Sequence, residues 1–417
     1  MTQMNQSPQT LKGFRDFLPI QKRKRDWVQK KIVTTFQLFG FEPLETPTLE
    51  YASLLLGKYG AEADKLVYTF SDKGDRQVGL RYDQTVPTAR VLGQYQNQLP
   101  RNFRRFQIQN VFRADKPQKG RYREFTQCDI DIFGSTSPTS DAEILACTYQ
   151  AYKSIGFPNL IIKVNDRDTL IKSILDIIGQ DQSPFSIIQT LDKQDKLSEE
   201  KIREELVNKG YSTNQVEEIF SLKDTLTLSP TLEIIINQAY QLGVPKEVLQ
   251  FQWDLARGLD YYTGMIFEVF IPEFIGGSVG GGGRYDNLIN DLTGTSVPAV
   301  GMAFGFDRTV EAADQLNLLP SQQSTSQVLV TIFDDSTRQF SLETTSKLRQ
   351  AGVNSEVYPT SDKLGKQFKL ASQKNIPYVI IIGKDEVDQN LITLKNLSTG
   401  QQQTLDLDQA IEKIKTN

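Results

Sequence analysis

FRRFQIQNVFRADKPQKGRYREFTQCDIDIF, residues 103–133, holds two runs of strand-forming residues on either side of a basic stretch punctuated by proline and glycine. Residues 103–113 and 122–133 read as two strands, joined by the loop ADKPQKGR. The flanking sequence extends this unit. Residues 21–39 carry apolar positions at helical spacing, and Gly40 stops that helix. FEPLETPTLE follows as an extended, proline-interrupted segment. Residues 66–70 and 77–81 form a hairpin pair across SDKGDR, a helix runs from about Thr85 to Tyr95, and another spans 140–154. Residues 167–240 are dominated by helical patterns and charge and read as an inserted helical subdomain. Strands return at 252–272 and 278–284, and a small-residue helix runs from about Val300 to Leu316.

SQQSTSQ, residues 321–327, is a polar linker, and beyond it the pattern changes. VLVTIF, NSEVYP, YVIIIG and LITLKN read as strands, and 337–351, 363–374 and 407–415 as helices. That alternation predicts a small α/β domain over 328–417 with a largely parallel sheet. Residues 1–320 form the larger domain.

A chain of 417 residues with 38% hydrophobic and 24% charged residues has enough material for two or three domains and a full core. No run of some eighteen apolar residues is present, so no membrane span is expected. The N-terminus lacks an apolar secretory core, and a cytoplasmic protein is expected. Cys128 and Cys147 fit no disulfide scaffold or zinc site and read as reduced core thiols. The net charge of −4 argues against non-specific DNA binding, while residues 22–25 and 101–105 are candidate local basic patches.

The chain contains no histidine. That excludes serine–histidine and cysteine–histidine nucleophiles, a histidine general base and a histidine metal ligand. Chemistry must run on Arg, Lys, carboxylates, hydroxyls, backbone and a bound cation. Phosphoryl and nucleotidyl transfer suit that set, because positioning and charge stabilisation do most of the work there.

Two further stretches are richer than structure alone requires. In DLARGLDYYTGMIFEVF, residues 254–270, the second half is an ordinary buried strand. The first half packs Arg257, Asp260, Tyr261, Tyr262, Thr263 and two glycines together. GGSVGGGGRYDNL, residues 276–288, carries six glycines between strands. Glycine permits close backbone approach to a ligand, so this run reads as the floor of a substrate pocket.

Four segments together resemble the class II aminoacyl-tRNA synthetases, and specifically the histidyl-tRNA synthetase family. FGFEPLETP (39–47) is similar to the first class motif, which builds a dimer interface around a proline, here Pro47. NVFRADKPQKGRYREFTQCDIDIFG (110–134) is similar to the second, and GMAFGFDR (301–308) to the third. RGLDYYTG (257–264) resembles a signature of the histidyl enzymes, and LRYDQTVPTAR (80–90) is typical of them too. The resemblance implies an α+β fold: a class II antiparallel sheet flanked by helices, with a helical insertion and a C-terminal α/β anticodon-binding domain. It implies a homodimer, and ATP, Mg²⁺, L-histidine and tRNA(His) as substrates and partners. Histidine attacks the α-phosphorus of ATP and is then passed to the 3′ end of tRNA.

By the same resemblance, Arg113 holds the α-phosphate and the histidine carboxylate, and Arg121 and Arg308 hold the β- and γ-phosphates. Phe125 stacks on adenine. Asp115 stands where many class II enzymes have glutamate, with a shorter arm. Asp83, Thr85 and Gln127 hold the α-amino group. Asp131 and Tyr262 hold the imidazole, with Tyr261 as a wall; many relatives have glutamate at the position of Asp131. Arg257 lies against the α-phosphate and carboxylate as an extra cation. Taken alone, Arg113 reads as a surface ion pair with Glu124 or Asp115, and Arg257 as one with Asp254 or Asp260. PQKGRYR and the eight-residue match favour function in each case. Thr126 stands where bacterial relatives often carry histidine.

Residues 167–240 suit gripping a tRNA acceptor stem or are a solvated decoration, two readings held equal. Lys363, Lys366, Lys369 and Lys374, with Phe368 and Tyr358, suit unpaired anticodon bases, although a charged helix is more often a solvated face. The competing functional reading is a catalytically silent paralogue: a regulatory subunit, or a sensor of uncharged tRNA.

Overall fold

The computed structural model describes residues 8–57, 65–116, 122–193, 197–256, 261–321 and 324–416. The chain divides into two compact units, Met1–Leu319 and Pro320–Asn417. In the first, strands β1 (Glu42–Pro43), β2 (Leu49–Tyr51), β3 (Thr69–Ser71), β4 (Gln77–Leu80), β5 (Phe103–Phe112), β6 (Glu124–Phe133), β7 (Ile161–Asp166), β8 (Leu249–Phe251), β9 (Met265–Phe270), β10 (Gly280–Arg284) and β11 (Ala299–Phe304) follow in chain order. Eight of them make one sheet in the order β1-β5-β6-β11-β10-β9-β7-β8, and β2-β4-β3 make a small second sheet.

β5 and β6 are the long antiparallel pair read from the sequence, in register from Phe103↔Phe133 to Phe112↔Glu124. All pairings from β5 to β7 across the sheet are antiparallel. Both edges depart from the expected antiparallel pattern, because β1 runs parallel to β5 and β8 parallel to β7. A long excursion separates each edge strand from its partner, so no hairpin dictates its direction.

Alternation gives the sheet two different faces. Phe106, Cys128, Ile130, Met302, Phe304, Phe267, Val269, Ile162 and Val164 point to the side covered by helices α1 (Pro19–Leu38) and, later in the chain, Pro138–Ile155. Phe36 of α1 lies against Phe106 and Phe304, with ring centroids 5.7 and 5.3 Å apart. Truncating a buried aromatic of this kind costs about 3–5 kcal/mol. The other face carries Arg105, Gln107, Gln109, Phe125, Gln127, Asp129 and Asp131 on β5 and β6. Opposite them stand Gly301 and Ala303 of β11, then Gly281 and Gly283 of β10.

Residues 299–316 are not one helix. Ala299–Phe304 is a strand and Phe306–Gln315 a helix. Val300, Met302 and Phe304 alternate with Gly301 and Ala303, a period of two that small side chains disguise. The strand expected over 278–284 is present as Gly280–Arg284 and takes a central place in the sheet, while only Leu249–Phe251 and Met265–Phe270 are strands within the expected 252–272 region and its margin. A Cβ on Gly282 would sit 1.9 Å from the Gly301 carbonyl oxygen, and one on Gly301 would sit 1.8 Å from Oδ1 of Asp131.

The described residues of 167–241 hold five helices. The first four, within 167–225, share their own core of Leu170, Ile174, Ile188, Ile202, Leu206, Ile219 and neighbours. Pro230–Gln241 instead sends Leu232, Ile235, Ile236 and Ala239 into the main core against Pro138–Ile155, so the separate subdomain is shorter than the expected 167–240. The second unit has strands β12 (Val328–Val330), β13 (Ser355–Val357), β14 (Tyr378–Ile381), β15 (Ile392–Asn396) and β16 (Gln402–Leu405), in the order β13-β12-β14-β15-β16. Only the β12 pairings are parallel; β14-β15 and β15-β16 are antiparallel, so the sheet is mixed and not largely parallel. The polar strand β16 and the helix Lys384–Gln389 carry too few apolar residues to be read from pattern.

The Gly282→Ala variant is expected to be destabilised by about 3 kcal/mol, the upper end of the usual overpacking cost, because its Cβ meets the Gly301 backbone. Thermal unfolding followed by circular dichroism checks this; an unchanged midpoint would mean that β10 and β11 can separate at no cost.

Candidate active site

β5 ends at Phe112, and Arg113 follows at the mouth of a cleft of about 870 Å³. The Arg113 Nε donates to the Tyr82 carbonyl at 3.0 Å, and its guanidinium lies 5.1 Å from the Phe125 ring centre. No described carboxylate pairs with it. Glu124 instead accepts from Asn110, and Asp115 offers its backbone oxygen to Arg123. Arg113, Asp115, Phe125, Gln127 and Arg308 all line the cleft. Arg308 stands in the first turn of Phe306–Gln315 and donates to the Ser278 carbonyl at 2.9 Å. Arg121 and Arg257 lie outside the described residues.

The cleft has a lip that sequence reasoning missed. Arg15 stacks on Tyr122 at 3.3 Å and pairs with Asp307 at 2.8 Å. Arg25 also pairs with Asp307, lies over Phe17, and donates to the Thr126 hydroxyl at 2.8 Å. The Thr126 hydroxyl donates in turn to Asn110. The basic patch at 22–25 is therefore partly spent inside the molecule, holding the residue next to Arg308.

Asp83, Thr85, Asp131, Tyr261 and Tyr262 are not among the residues lining this cleft; Asp131 stands on the same sheet face as Gln127. Gln84 ties the 82–85 segment to the sheet by donating to the carbonyls of Gln109 and Gln127, at 3.1 and 2.9 Å. Asp83, one residue before the N-cap Gln84 of the helix Thr85–Gln94, accepts from the Val86 backbone at 3.1 Å. Burial raises its carboxyl to about 6, against the pull of that hydrogen bond and of Arg113 and Arg105.

Among the described residues, Asp131 is held by Arg105 and Tyr285: its carboxylate pairs with the fully buried Arg105 at 2.7 Å and accepts the phenol of Tyr285. Burial raises Asp131, opposed by Arg105 and by the Tyr285 hydrogen bond, and burial with Asp131 alongside pushes the Tyr285 phenol well up. Tyr262 packs against Tyr261, with ring centroids 4.6 Å apart, beside Gly283, whose Cβ would approach the Tyr262 ring to 2.9 Å. Arg105, Tyr285 and Asp129 were all missed as site residues. The strict alternation Phe125, Gln127, Asp129, Asp131 was the available signal for Asp129.

Both cysteines are buried in the core, and burial pushes their thiols well above the usual range. Among the described residues, no group of three His, Cys, Asp or Glu side chains could hold a metal ion, and no helix is long and apolar enough to cross a membrane. In the second unit, Lys374 pairs with Glu356 and Lys366 with Asp362, while Phe368 packs into the core beneath Lys395. Those two lysines are thus partly engaged, and Phe368 is not a free stacking surface.

The histidyl-tRNA synthetase family model matches residues 13–309, and an anticodon-binding domain model matches 327–417. The chain belongs to the histidyl-tRNA synthetase family. It is 38% identical to a histidine–tRNA ligase of Cytophaga hutchinsonii, over 98% of this chain and all of that protein. It is also 38% identical to the ligase of Gloeobacter violaceus, over 95% of this chain and 96% of that one. The crystal structure of histidyl-tRNA synthetase from Nostoc sp. PCC 7120 superposes with a TM-score of 0.85 at 29% identity, covering 98% of this chain and 99% of that chain.

Asp83 yields a signed prediction. A carboxyl raised from the ordinary aspartate value of about 3.9 to about 6 is costly only when ionised, so stability is full below about 4 and is lost as pH rises through 6. Asp83→Asn removes the penalty and keeps an acceptor for the Val86 amide, and should stabilise the protein at pH 8 by roughly 2–3 kcal/mol and hardly at pH 4. Urea titrations of both proteins at the two pH values measure the difference; equal stability at pH 8 would contradict the assignment.

Proposed function

We propose that the protein is a histidine–tRNA ligase, which activates L-histidine with ATP and passes it to the 3′ end of tRNA(His). The observation that carries this is Arg113: a cleft guanidinium 5.1 Å from the Phe125 ring centre, with no direct carboxylate ion pair among the described residues. A buried or half-buried guanidinium needs anions, and here the substrates bring them.

In the first step, a histidine carboxylate oxygen attacks the α-phosphorus, and the bond to the bridging oxygen of pyrophosphate breaks. Charge grows on the α-phosphoryl oxygens, where Arg113 and Arg257 act as fixed counter-charges. Phe125 supplies a face for adenine, with the Asp115 segment beside it, and Arg308 and Arg121 take the outer phosphates. Asp83, Thr85 and Gln127 receive the α-amino group. Asp131 and Tyr262 receive the imidazole, with Tyr261 as a wall. In the second step, a hydroxyl of the tRNA terminal ribose attacks the histidyl carbonyl, and AMP leaves. Mg²⁺ enters with ATP; Glu268 and Glu311 line the cleft, and one or two carboxylates with phosphate oxygens are its usual set.

A buried site of paired donors and acceptors rejects ligands lacking the matching atoms by roughly 10⁴–10⁵. Residues 1–320 are read as the catalytic domain, 321–327 as the linker and 328–417 as the anticodon-binding domain, in a cytoplasmic enzyme. A silent regulatory paralogue would have no need of Arg113 and Arg308 together in one cleft, or of the anticodon domain.

Amino-acid-dependent ATP–pyrophosphate exchange tests the reading. Exchange should appear with histidine alone among the twenty amino acids, and fall by about 10²–10³ in Arg113→Ala and in Arg257→Ala. No exchange with any amino acid, from folded protein, would favour the sensor reading.

The homodimer is proposed on a surface observation. Leu49, Tyr51 and Phe70 are 45, 59 and 45% exposed on the small sheet beside Pro47. Tyr51 and Phe70 both oppose Val78, so they share a face. Sedimentation velocity should give a dimer for the native protein and a monomer for Tyr51→Glu/Phe70→Glu; a persistent dimer would assign the interface elsewhere.

A further inference from the structure

Asp129 lies on β6 between Gln127 and Asp131, on the face that carries the site. It is 4% exposed, and its Oδ1 has no hydrogen-bond partner. The neighbouring cations make their paired contacts elsewhere, although Arg105 Nε is itself buried without a partner. Arg105, the fully buried cation beside it, is paired with Asp131 at 2.7 Å, and Arg113 is turned to the Tyr82 carbonyl. Its cross-strand neighbours are Gln107 on one side and Ala303, then Gly281, on the other. Gln107 donates its amide to Thr46 and Gln109. Nothing larger than a methyl group fills the sheet face towards β10. A buried carboxylate without a partner is costly, and such groups stay protonated or await a cation. Burial holds Asp129 well above the usual carboxylate range, with Asp131 and Asp83 adding to it and Arg105 opposing.

The neighbouring atoms say what kind of cation fits. Gln127 Oε1 is also buried without a partner. Asp83 lies close enough to Asp129 for the two charges to interact. An ammonium group has three donors and no acceptor. Asp83, Gln127 and Asp129 offer acceptors to match, whereas a guanidinium or a metal would call for a fork or a closer oxygen cage.

We propose that Asp129 is a further substrate-binding residue: it receives the α-ammonium of the amino-acid substrate, completing an acceptor set with Asp83 and Gln127. This rests on the ligase reading above. It makes the site select a charged α-amine by carboxylates on two separate elements, β6 and the segment before helix Thr85–Gln94.

The test compares two ligands that each lack one end of histidine. L-Histidinol keeps the ammonium; 3-(imidazol-4-yl)propanoate keeps the ring and carboxylate. Calorimetry on the native protein and Asp129→Asn should show histidinol binding about 10- to 100-fold more weakly in the variant, with imidazolylpropanoate unchanged. In exchange kinetics, the KM for histidine should rise while the KM for ATP does not. Equal losses for both ligands would overturn the proposal and move Asp129 to the ring they share; a loss confined to imidazolylpropanoate would overturn it and move Asp129 to the carboxylate. If the native protein binds neither ligand and shows no histidine-dependent exchange, the ligase reading itself falls, and this inference with it. The isosteric variant should fold; retained thermal stability with unchanged histidinol affinity would also overturn it.

Discussion

The buried pair of Arg105 and Asp131 is the constraint around which the first unit is arranged. Two charges at the centre of a sheet face are tolerable only with good geometry and further hydrogen bonds. The structure supplies both: the 2.7 Å pairing and the Tyr285 phenol on the same carboxylate. Space is the second requirement. Gly301 must lack a side chain because a Cβ there would fall on Asp131 Oδ1, and the glycines of β10 continue the bare surface. A strand of four successive glycines has poor intrinsic propensity. It persists because the strands on both sides hold it in a central position, and its use is to leave room.

The two faces of the sheet divide the work. One face is packed with aromatic and aliphatic side chains against helices, and supplies the rigidity. The other is a row of carboxylates, amides and guanidiniums over a glycine floor. Rigid strands hold polar groups at fixed spacing, which is what a charge-stabilising site needs, since little reorganisation is left for the moment of reaction. The N-terminal segment contributes through Arg15 and Arg25, which clamp Asp307 and so steady the turn that presents Arg308.

Much of this was legible in the sequence because its signals are local. The β5–β6 unit showed as two strand-like runs about a basic loop, and the absence of histidine restricted the chemistry at once. Arg113, Phe125, Gln127 and Arg308 were named from motifs and meet in one cleft. Where small residues carry no hydropathy, pattern failed: Ala299–Phe304 read as helix. Edge-strand direction also failed, since it depends on chain excursions and not on local composition.

What the sequence by itself determined was the alternation that sends Phe125, Gln127, Asp129 and Asp131 to one face, and the motif residues that mark the family. A period of two is a property of the extended backbone and needs no tertiary information. Only the tertiary structure decided which partners those residues meet. Arg105 and Tyr285 reach Asp131 across 26 and 154 positions of chain, while Asp129 is left with an unpaired oxygen. Pairing of buried charges is set by which strands lie side by side, and that order arises from the packing of the whole unit.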